Sequence, residues 1–241
     1  YSAFILIFLC NLHNFFYNKN VTYFNQNIFW LFVILSVSIS LMIGERSNFF
    51  KVFTMSIFFI FLINRENLLK KFISIFVALG IFSLIIFNTP YYKYRYWALF
   101  IKPVLNNPIE FVLSTDYGSH YLVALDVFKN HKFFGVGLKN YRLEVQKKQY
   151  DKNASVHPHQ THFEIIAELG FIGYILFISI FLFNIYFSFK YFLKENEKLQ
   201  LSGLLFVMAT LIPIIPSGSF FTTFGATLFW LNYSFMLPKE N

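Results

Sequence analysis

The sequence predicts an all-α fold: a polytopic bundle of about seven transmembrane helices, with a long outer loop that contains short amphipathic helices. Two observations predict this class. First, 56% of the residues are apolar and only 13% are charged, whereas soluble domains average about 45–50% and about 25%. Second, apolar runs recur at close to the length that a helix needs to cross a bilayer, about 20 residues. The mean hydropathy of +0.53 agrees.

Short polar breaks separate the apolar runs. Asn18-Lys19-Asn20, Gly44-Glu45-Arg46-Ser47 and Asn64-Arg65-Glu66-Asn67 follow the first three. Pro213 and Pro216 flank the turn Ser217-Gly218-Ser219, where one helix is expected to end and the next to begin. The predicted spans are 2–17, 27–43, 49–63, 70–87, 163–189, 200–215 and 219–237.

Basic residues in the short loops predict the orientation, because positively charged loops face the cytoplasm. The segment 88–162 then faces outward, although it carries ten basic against five acidic residues. The rule weakens for loops longer than about 60 residues, and an anionic substrate would explain the basic excess. The residues that alternation places on the cytoplasmic side are Lys19, Arg65, Lys70, Lys71, Lys190, Lys194, Lys198 and Lys239.

The outer segment has the pattern of a folded region. Apolar residues follow helical spacing from Tyr121 to Phe128. Gly135 and Gly137 then break the chain, and a second helix is expected over 141–149. A structural cap without chemistry is the alternative to a catalytic role for this segment. The expected parts are helices in 1–87, an outer domain in 88–162 and helices in 163–241.

The stretch before the fifth span holds the main candidates for acid–base chemistry. Pro158 fixes the backbone between His157 and His159, which keeps both imidazoles on a loop above a helix start. A neutral imidazole there can take a proton from a hydroxyl. Glu164 and Glu168 follow one turn apart, in a helix expected to run on unbroken. Ionisable groups at membrane depth are expensive and are therefore functional candidates.

Two other interpretations of this stretch are open. The histidines can belong to a polar loop and bond only to backbone groups. Alternatively, His157, His159, His162 and Glu164 resemble a zinc ligand set. The carboxylates point along a helix, however, and no further ligands are evident. We therefore expect neither a metal nor a cofactor.

Two more stretches can hold an anion. Arg46 lies at the outer end of an apolar helix, where a guanidinium can grip phosphate with two hydrogen bonds. Anchoring at the headgroups or pairing with Glu45 are the alternatives. Gly135 and Gly137 precede Lys139 and Arg142, and glycines before a helix can present backbone N–H groups to an anion. This loop lacks the glycines and lysine of a nucleotide fingerprint, so a plain turn is its alternative.

The remaining composition narrows the classes of partner. A single cysteine, Cys10, excludes a disulfide framework and a thiolate metal site. The net charge of +8 would suggest nucleic acid in a soluble protein. In a membrane protein the positions of the charges matter more, so we expect membrane lipid and no nucleic acid as partners.

Together these stretches resemble the O-antigen ligase and polymerase family, the Wzy-C type of bacterial membrane glycosyltransferase. The likeness covers nearly the whole chain. Family members usually have more spans, and this chain begins at Tyr1 in an apolar stretch, so we expect it to lack a set of N-terminal helices. The motifs are GERSNFF at 44–50, HYLVALDVFKNHKFFGVGLKNYR at 120–142, HPHQTHFEIIAELGFIGYILF at 157–177 and the weaker PIIPSGSFF at 213–221.

The resemblance implies a reaction at the outer face of the bacterial inner membrane. Family enzymes move a glycan from undecaprenyl pyrophosphate to an acceptor sugar hydroxyl, such as one of lipid A–core, without a nucleotide sugar. The family histidine falls on His159, the expected general base, and Gln160 replaces the asparagine that follows it. Glu164 can orient His159 or His162, or bond to a loop amide.

The resemblance also implies where the pyrophosphate binds. The helix-end arginine of the family falls on Arg46, which we expect to approach His159 around the diphosphate. Many members have a second arginine where this sequence has Ser119-His120. Arg95, Lys139 and Arg142 are the candidates for that charge, and His120 itself is a further candidate for binding the substrate.

Four functions are compatible with these features to different degrees. A ligase and a polymerase share the donor chemistry, and this sequence does not divide them. A transporter would place polar residues and paired Gly/Pro interruptions in mid-span, whereas here the polar groups gather at one face. A purely structural scaffold would leave the histidine without a role.

Overall fold

The computed structural model describes residues 23–63, 68–147 and 155–238, and every regular element in these ranges is helical. The all-α class is thus confirmed. The predicted span 2–17 lies outside the described residues, as do Cys10, Lys19, Arg65 and Lys239. The first three helices are α1 (Tyr23–Met42), α2 (Arg46–Ile63) and α3 (Leu68–Asn88).

The segment 88–162 contains short helices, as predicted. The helices expected near 121–128 and 141–149 are present as α7 and α8, and the chain between them breaks at Gly135 and Gly137. The elements are α4 (Pro90–Tyr92), the π-helix π1 (Lys93–Ile101), α5 (Lys102–Asn106), α6 (Pro108–Ser114), α7 (Asp116–Asn130) and α8 (Tyr141–Lys147).

Three helices follow: α9 (Thr161–Glu195), α10 (Lys198–Thr210) and α11 (Thr223–Met236). Within the described ranges, three helices are long and apolar enough to cross a membrane: Arg46–Ile63, Lys71–Asn88 and Thr161–Glu195. These helices are those of a membrane protein, while the count of seven spans stays unconfirmed.

The predicted sixth and seventh spans are shorter as helices, with 13 residues in α10 and 14 in α11. The chain from Leu211 to Thr222 is irregular instead. Pro213 and Pro216 have no backbone N–H to donate to the hydrogen bond that would continue a helix. Ile214, between them, has a φ of 70°. The prolines thus end the helix about one turn earlier than its apolar pattern predicts.

The expectation of an unbroken helix after the histidines is wrong at Gly170. This residue has φ 67° and ψ −170°, outside the helical region, so α9 consists of two helical stretches joined at a kink. The apolar pattern hides the break because a glycine inside a long apolar run is also common in straight membrane helices.

The chain divides into two compact units. Among the described residues, the first comprises 23–63, 68–103, 188–209 and 231–238. Its core contains Phe49, which packs edge-on against Phe82 and Tyr96. The hydroxyl of Tyr96 donates to the carbonyl of Leu41 over 2.8 Å. These contacts tie π1 to the helices α1, α2 and α3.

The second unit comprises 104–187 and 210–230. Its core joins α7, α8 and the start of α9 through Ala124, Val127, Tyr141, Val145 and Ala167. The helix α7 begins at a Thr115 cap, whose hydroxyl oxygen accepts from the amide of Gly118. All the histidines and carboxylates predicted to be functional lie in this unit.

Candidate active site

Three imidazoles cluster on the loop before α9, in the second unit. The ring of His159 lies 3.9 Å from that of His157 and 5.1 Å from that of His120, measured between centroids. Tyr117 approaches the same ring edge-on at 5.8 Å. The Oγ of Ser155 lies 3.1 Å from His159 Nε2. The loop position expected for the HPH motif is thus present.

Burial makes the imidazoles of this cluster weakly basic. It lowers the pKa of His159 to about 4, with smaller contributions from His157 and His120. The pKa of His157 is lowered by burial and then by His120. Burial also lowers the pKa of His120, against an opposing effect of Asp116. All three rings are therefore neutral at pH 7, which is the form that accepts a proton.

His120 has a buried atom without a hydrogen-bond partner. The side chain is 8% exposed, and its Nδ1 contacts no donor or acceptor among the described residues. Buried polar atoms are usually paired. An unpaired nitrogen beside His159 therefore marks this position as a candidate for substrate contact, which stays a prediction.

Gln160 and His162 hold the start of α9 rather than taking part in the imidazole cluster. Gln160 Oε1 accepts from the amide of Phe163 over 3.1 Å, which caps the helix. His162 Nε2 lies 2.8 Å from the carbonyl of Leu211, and its Nδ1 lies 3.1 Å from the hydroxyl of Tyr174. A carbonyl can only accept, so Nε2–H donates to Leu211.

Glu164 binds a turn after α10 instead of a histidine. Its carboxylate is 2% exposed. Ser219 Oγ donates to Oε1 over 2.5 Å, and the Phe220 amide donates to Oε2 over 2.6 Å. Three roles were expected for Glu164, and the structure shows the bond to a loop amide. The carboxylate also accepts from a hydroxyl. Both oxygens hold the 219–220 turn against α9.

The zinc interpretation finds no support in this geometry. Both ring nitrogens of His162 and both oxygens of Glu164 are engaged by protein partners. Over the ranges 23–63, 68–147 and 155–238, no group of three or more His, Cys, Asp or Glu side chains is arranged to hold a metal ion.

The kink at Gly170 receives the glycine-rich loop that follows α7. The loop donates to two carbonyls on one side of the kink, and two amides on the other side donate back to the loop. The four bonds are Val136 N–H to Ala167 O (3.1 Å), Gly137 N–H to Glu168 O (2.8 Å), Phe171 N–H to Lys132 O (2.7 Å) and Ile172 N–H to Phe133 O (3.2 Å).

This backbone-to-backbone contact requires glycine at two positions. Gly135 and Gly170 both have positive φ, 68° and 67°. A Cβ on Gly135 would lie 2.3 Å from the carbonyl carbon of Glu168, and one on Gly170 would lie 2.4 Å from the carbonyl oxygen of Phe133. No side chain fits between backbones this close.

The carboxylate of Glu168 binds the glycine-rich loop at a place where an external anion could otherwise have bound. Its Oε2 accepts from the amide of Lys139 over 2.7 Å, and the carboxylate is 4% exposed. The amide of Asn140 donates to the Gly137 carbonyl. The amides of Val136, Gly137, Lys139 and Asn140 are thus used within the protein, which leaves the side chains of Lys139 and Arg142 as candidates for binding an anion here.

A cavity of about 420 Å³ opens beside these groups in the second unit. It combines cations, carboxylates, hydroxyls and one of the three clustered imidazoles. His157 lines it, and the ring of His159 lies 3.9 Å from that of His157. The lining residues are Lys139, Arg142, Val156, His157, Glu164, Glu168, Ser219, Phe221, Thr222 and Thr223.

In the first unit, two arginines meet at the turn between α1 and α2. Arg46 begins α2 rather than ending a helix, and its Nη1 donates to the carbonyl of Leu99 over 3.2 Å. Arg95 Nε donates to the carbonyl of Gly44 over 2.6 Å, and its Nη2 lies 3.9 Å from Glu45 Oε1. Glu45 thus pairs with Arg95, and not with its neighbour Arg46.

Guanidinium N–H groups at the turn between α1 and α2 remain available to a ligand. A guanidinium has five N–H donors, and the bond to Leu99 uses one of those of Arg46. Arg46 and Arg95 belong to the first unit, whereas His120, Lys139, Arg142 and the other site residues belong to the second. The expected approach of Arg46 to His159 stays a prediction.

Comparison with known proteins adds one finding. The family model described as O-antigen ligase matches residues 31–178, which is more than half of the chain. The chain belongs to the O-antigen ligase family. No curated protein matched it.

The O-antigen ligase match takes in most of the predicted site. It includes both arginines of the turn between α1 and α2, the histidine cluster, the glycine-rich loop and the kink at Gly170. The family supports a membrane glycosyltransferase of the O-antigen ligase type, acting on lipid-linked glycans.

Sequence reasoning missed two contacts of this candidate site. The sequence predicts only helix ends around the 219–220 turn, yet this turn binds Glu164. Glu168 stands out in the sequence only for its depth in the membrane, yet it holds the glycine-rich loop. One signal was available: a carboxylate inside an apolar helix needs donors, and glycine- and serine-rich turns are the segments that can supply free amides.

Proposed function

We propose that the protein transfers a glycan from undecaprenyl pyrophosphate to an acceptor sugar hydroxyl, at the periplasmic face of the bacterial inner membrane. The acceptor is lipid A–core or a related glycan. One observation carries this proposal: a neutral imidazole pair, His157 and His159, adjoins a cavity lined by cations and hydroxyls. The family supplies the reaction class.

The transfer is a substitution at the anomeric carbon of the donor sugar. The acceptor oxygen forms a bond to that carbon, and the bond from the carbon to the pyrophosphate oxygen breaks. The hydroxyl proton passes to the imidazole of His159, and the diphosphate leaves on its lipid carrier. No nucleotide, oxidant or reductant enters this balance.

The tautomer of His159 decides which nitrogen can act as the base. If Nε2–H donates to Ser155 Oγ, at 3.1 Å, Nδ1 keeps a lone pair that can accept the proton. A pKa of about 4 makes the free imidazole a weak base. The negative charge of a bound diphosphate favours the protonated form, so the donor itself strengthens the base.

The arginines complete the proposal. Arg46, with Arg95 beside its turn, provides guanidinium N–H groups for the pyrophosphate, whose developing charge needs preorganised donors. Glu164, a catalytic candidate in the sequence, has both oxygens bound to the 219–220 turn. We assign it a positioning role, in which it places Ser219 and its neighbours at the cavity.

Deletion in the host, followed by gel analysis of the surface polysaccharide, tests this function. Loss of long chains from an otherwise intact core is the result expected of a ligase, and restoration by the wild-type gene is the control. A single-repeat product would instead identify a polymerase. An unchanged polysaccharide would contradict the proposal.

A further inference from the structure

We propose that the cavity of the second unit holds a hydroxyl-rich sugar segment of the glycan, and that the diphosphate binds elsewhere. This inference rests on the proposed glycan transfer and names the ligand class of one part of that site. It changes the expected role of Lys139 and Arg142, which the resemblance had offered as candidates for holding the diphosphate.

The charge of the cavity argues against a diphosphate. Lys139 and Arg142 share the lining with two acidic residues, Glu164 and Glu168. These two residues are 2% and 4% exposed. Each of them that ionises cancels the charge of one cation, and repulsion between anions is strong in surroundings with so little water. A diphosphate placed here would therefore meet the acceptor oxygens of two acids beside the two cations that attract it.

The same lining suits a sugar. Glu164 and Glu168 are nearly enclosed and bound to loop amides, so the accessible donors of the lining are the exposed side chains of Lys139 and Arg142. Sugar hydroxyls can accept from these two cations and donate to the hydroxyl oxygen of Ser219. Thr223 adds an exposed hydroxyl at the rim. Polyols, which donate and accept at every carbon, match a lining that mixes both kinds of group.

Size and apolar surface agree with this assignment. The volume of about 420 Å³ lies within the range of small-molecule sites, about 300–1,000 Å³. Val156 and Phe221 offer apolar surface to the C–H face of a sugar ring. His157 is part of the lining and contacts His159. A sugar bound here therefore lies next to the proposed base.

Two molecules carry sugars that could fill the cavity: the acceptor and the glycan part of the donor. The test measures binding to the purified full-length protein in detergent by calorimetry. The probes are the lipid-free acceptor oligosaccharide, the glycan repeat released from its carrier, and inorganic pyrophosphate. The oligosaccharide that responds to a change in the cavity identifies which source fills it.

Thr223 allows variants that leave the buried groups in place. Thr223→Val removes one hydroxyl, and Thr223→Trp fills the rim. We expect Thr223→Val to weaken binding of one oligosaccharide by about 2- to 10-fold, and Thr223→Trp to weaken it more. Binding of pyrophosphate should be unchanged. Ser234→Ala is the matched control, because that exposed hydroxyl lies on the same helix in the other unit and donates to the Leu231 carbonyl within its own helix.

Three outcomes overturn the sugar assignment: no oligosaccharide binds the wild type, both Thr223 variants bind the oligosaccharides normally, or the variants weaken pyrophosphate instead. Glycan transfer by the wild type is measured in parallel. Normal transfer with unchanged sugar binding in the variants removes the sugar assignment alone. Sugar binding that depends on Thr223, in a protein that transfers no glycan, removes the proposed function alone.

Discussion

At the scale of single residues, the backbone of His159 is as informative as its side chain. Its φ of 54° lies in the left-handed region, which is uncommon for residues other than glycine, although asparagine, aspartate and histidine adopt it more often than the rest. Pro158 and the Gln160 cap restrict the neighbouring chain. Because unusual backbone conformations persist only where the surroundings enforce them, we expect this loop to fix the backbone from which the imidazole extends.

The low pKa of His159 predicts a pH profile for the free enzyme. The base acts when neutral, so lowering its pKa to about 4 keeps it active to lower pH. We expect kcat/KM for glycan transfer to change little between pH 7.5 and pH 5.5. An imidazole with the usual pKa of about 6.5 would lose roughly nine-tenths of its neutral form over that range.

The profile of kcat/KM is the quantity to measure, because it reports ionisations of the free enzyme. The profile of kcat reports the bound state, where the diphosphate is expected to raise the pKa. A kcat/KM that falls with an apparent pKa of 6.5 or higher would contradict the assignment of His159 as the base.

At the scale of elements, the contact between the glycine-rich loop and the α9 kink is the feature that shapes the cavity. It sets Lys139 and Arg142 on one side of the cavity, while the 219–220 turn, held by Glu164, forms another. A substitution that weakens either contact should therefore affect the whole protein and not only the residue that is changed.

Gly170→Ala tests the kink. The alanine would have to adopt φ 67° and place its Cβ 2.4 Å from the Phe133 carbonyl oxygen. We expect a loss of stability of more than about 2 kcal/mol, seen as a lower melting temperature in detergent. Gly80→Ala is the control, because a Cβ added at this position of helix α3 would meet nothing within 4 Å, and it should be neutral or stabilising. Equal melting temperatures for the two variants would contradict the account of the kink.

Arg46→Lys tests the turn between α1 and α2. Lysine can still bond to the Leu99 carbonyl but cannot present two parallel N–H groups to a phosphate. We expect transfer to fall by at least about tenfold, with the protein level in the membrane unchanged. Arg46→Gln, which removes the charge as well, should be at least as impaired. Normal transfer in both variants would favour a role in anchoring the helix.

At the scale of the whole molecule, the features predicted correctly are those with a local signal. The helical class follows from composition, and the breaks at Gly135, Gly137 and Pro213 follow from residue type. The family follows from short motifs in order. Each of these features depends on residues that are neighbours in the sequence, so a single sequence shows it directly.

The features that were missed join residues far apart in the sequence. Glu168 bonds to an amide 29 positions earlier, and Glu164 to one 56 positions later. Nothing in the spacing of a single sequence selects these partners among the many amides of its loops. The kink at Gly170 is hidden for the same reason, because it is stabilised by a loop from another part of the chain.

The most direct test of the account is glycan transfer by purified protein with a His159→Asn substitution. Asparagine tolerates the left-handed backbone but cannot act as a base. Wild-type protein in liposomes should move glycan from undecaprenyl pyrophosphate to the acceptor without a nucleotide sugar. The variant should be slower by about 10²- to 10⁴-fold, with its binding of the carrier unchanged. Transfer by the variant at the wild-type rate would contradict the central claim.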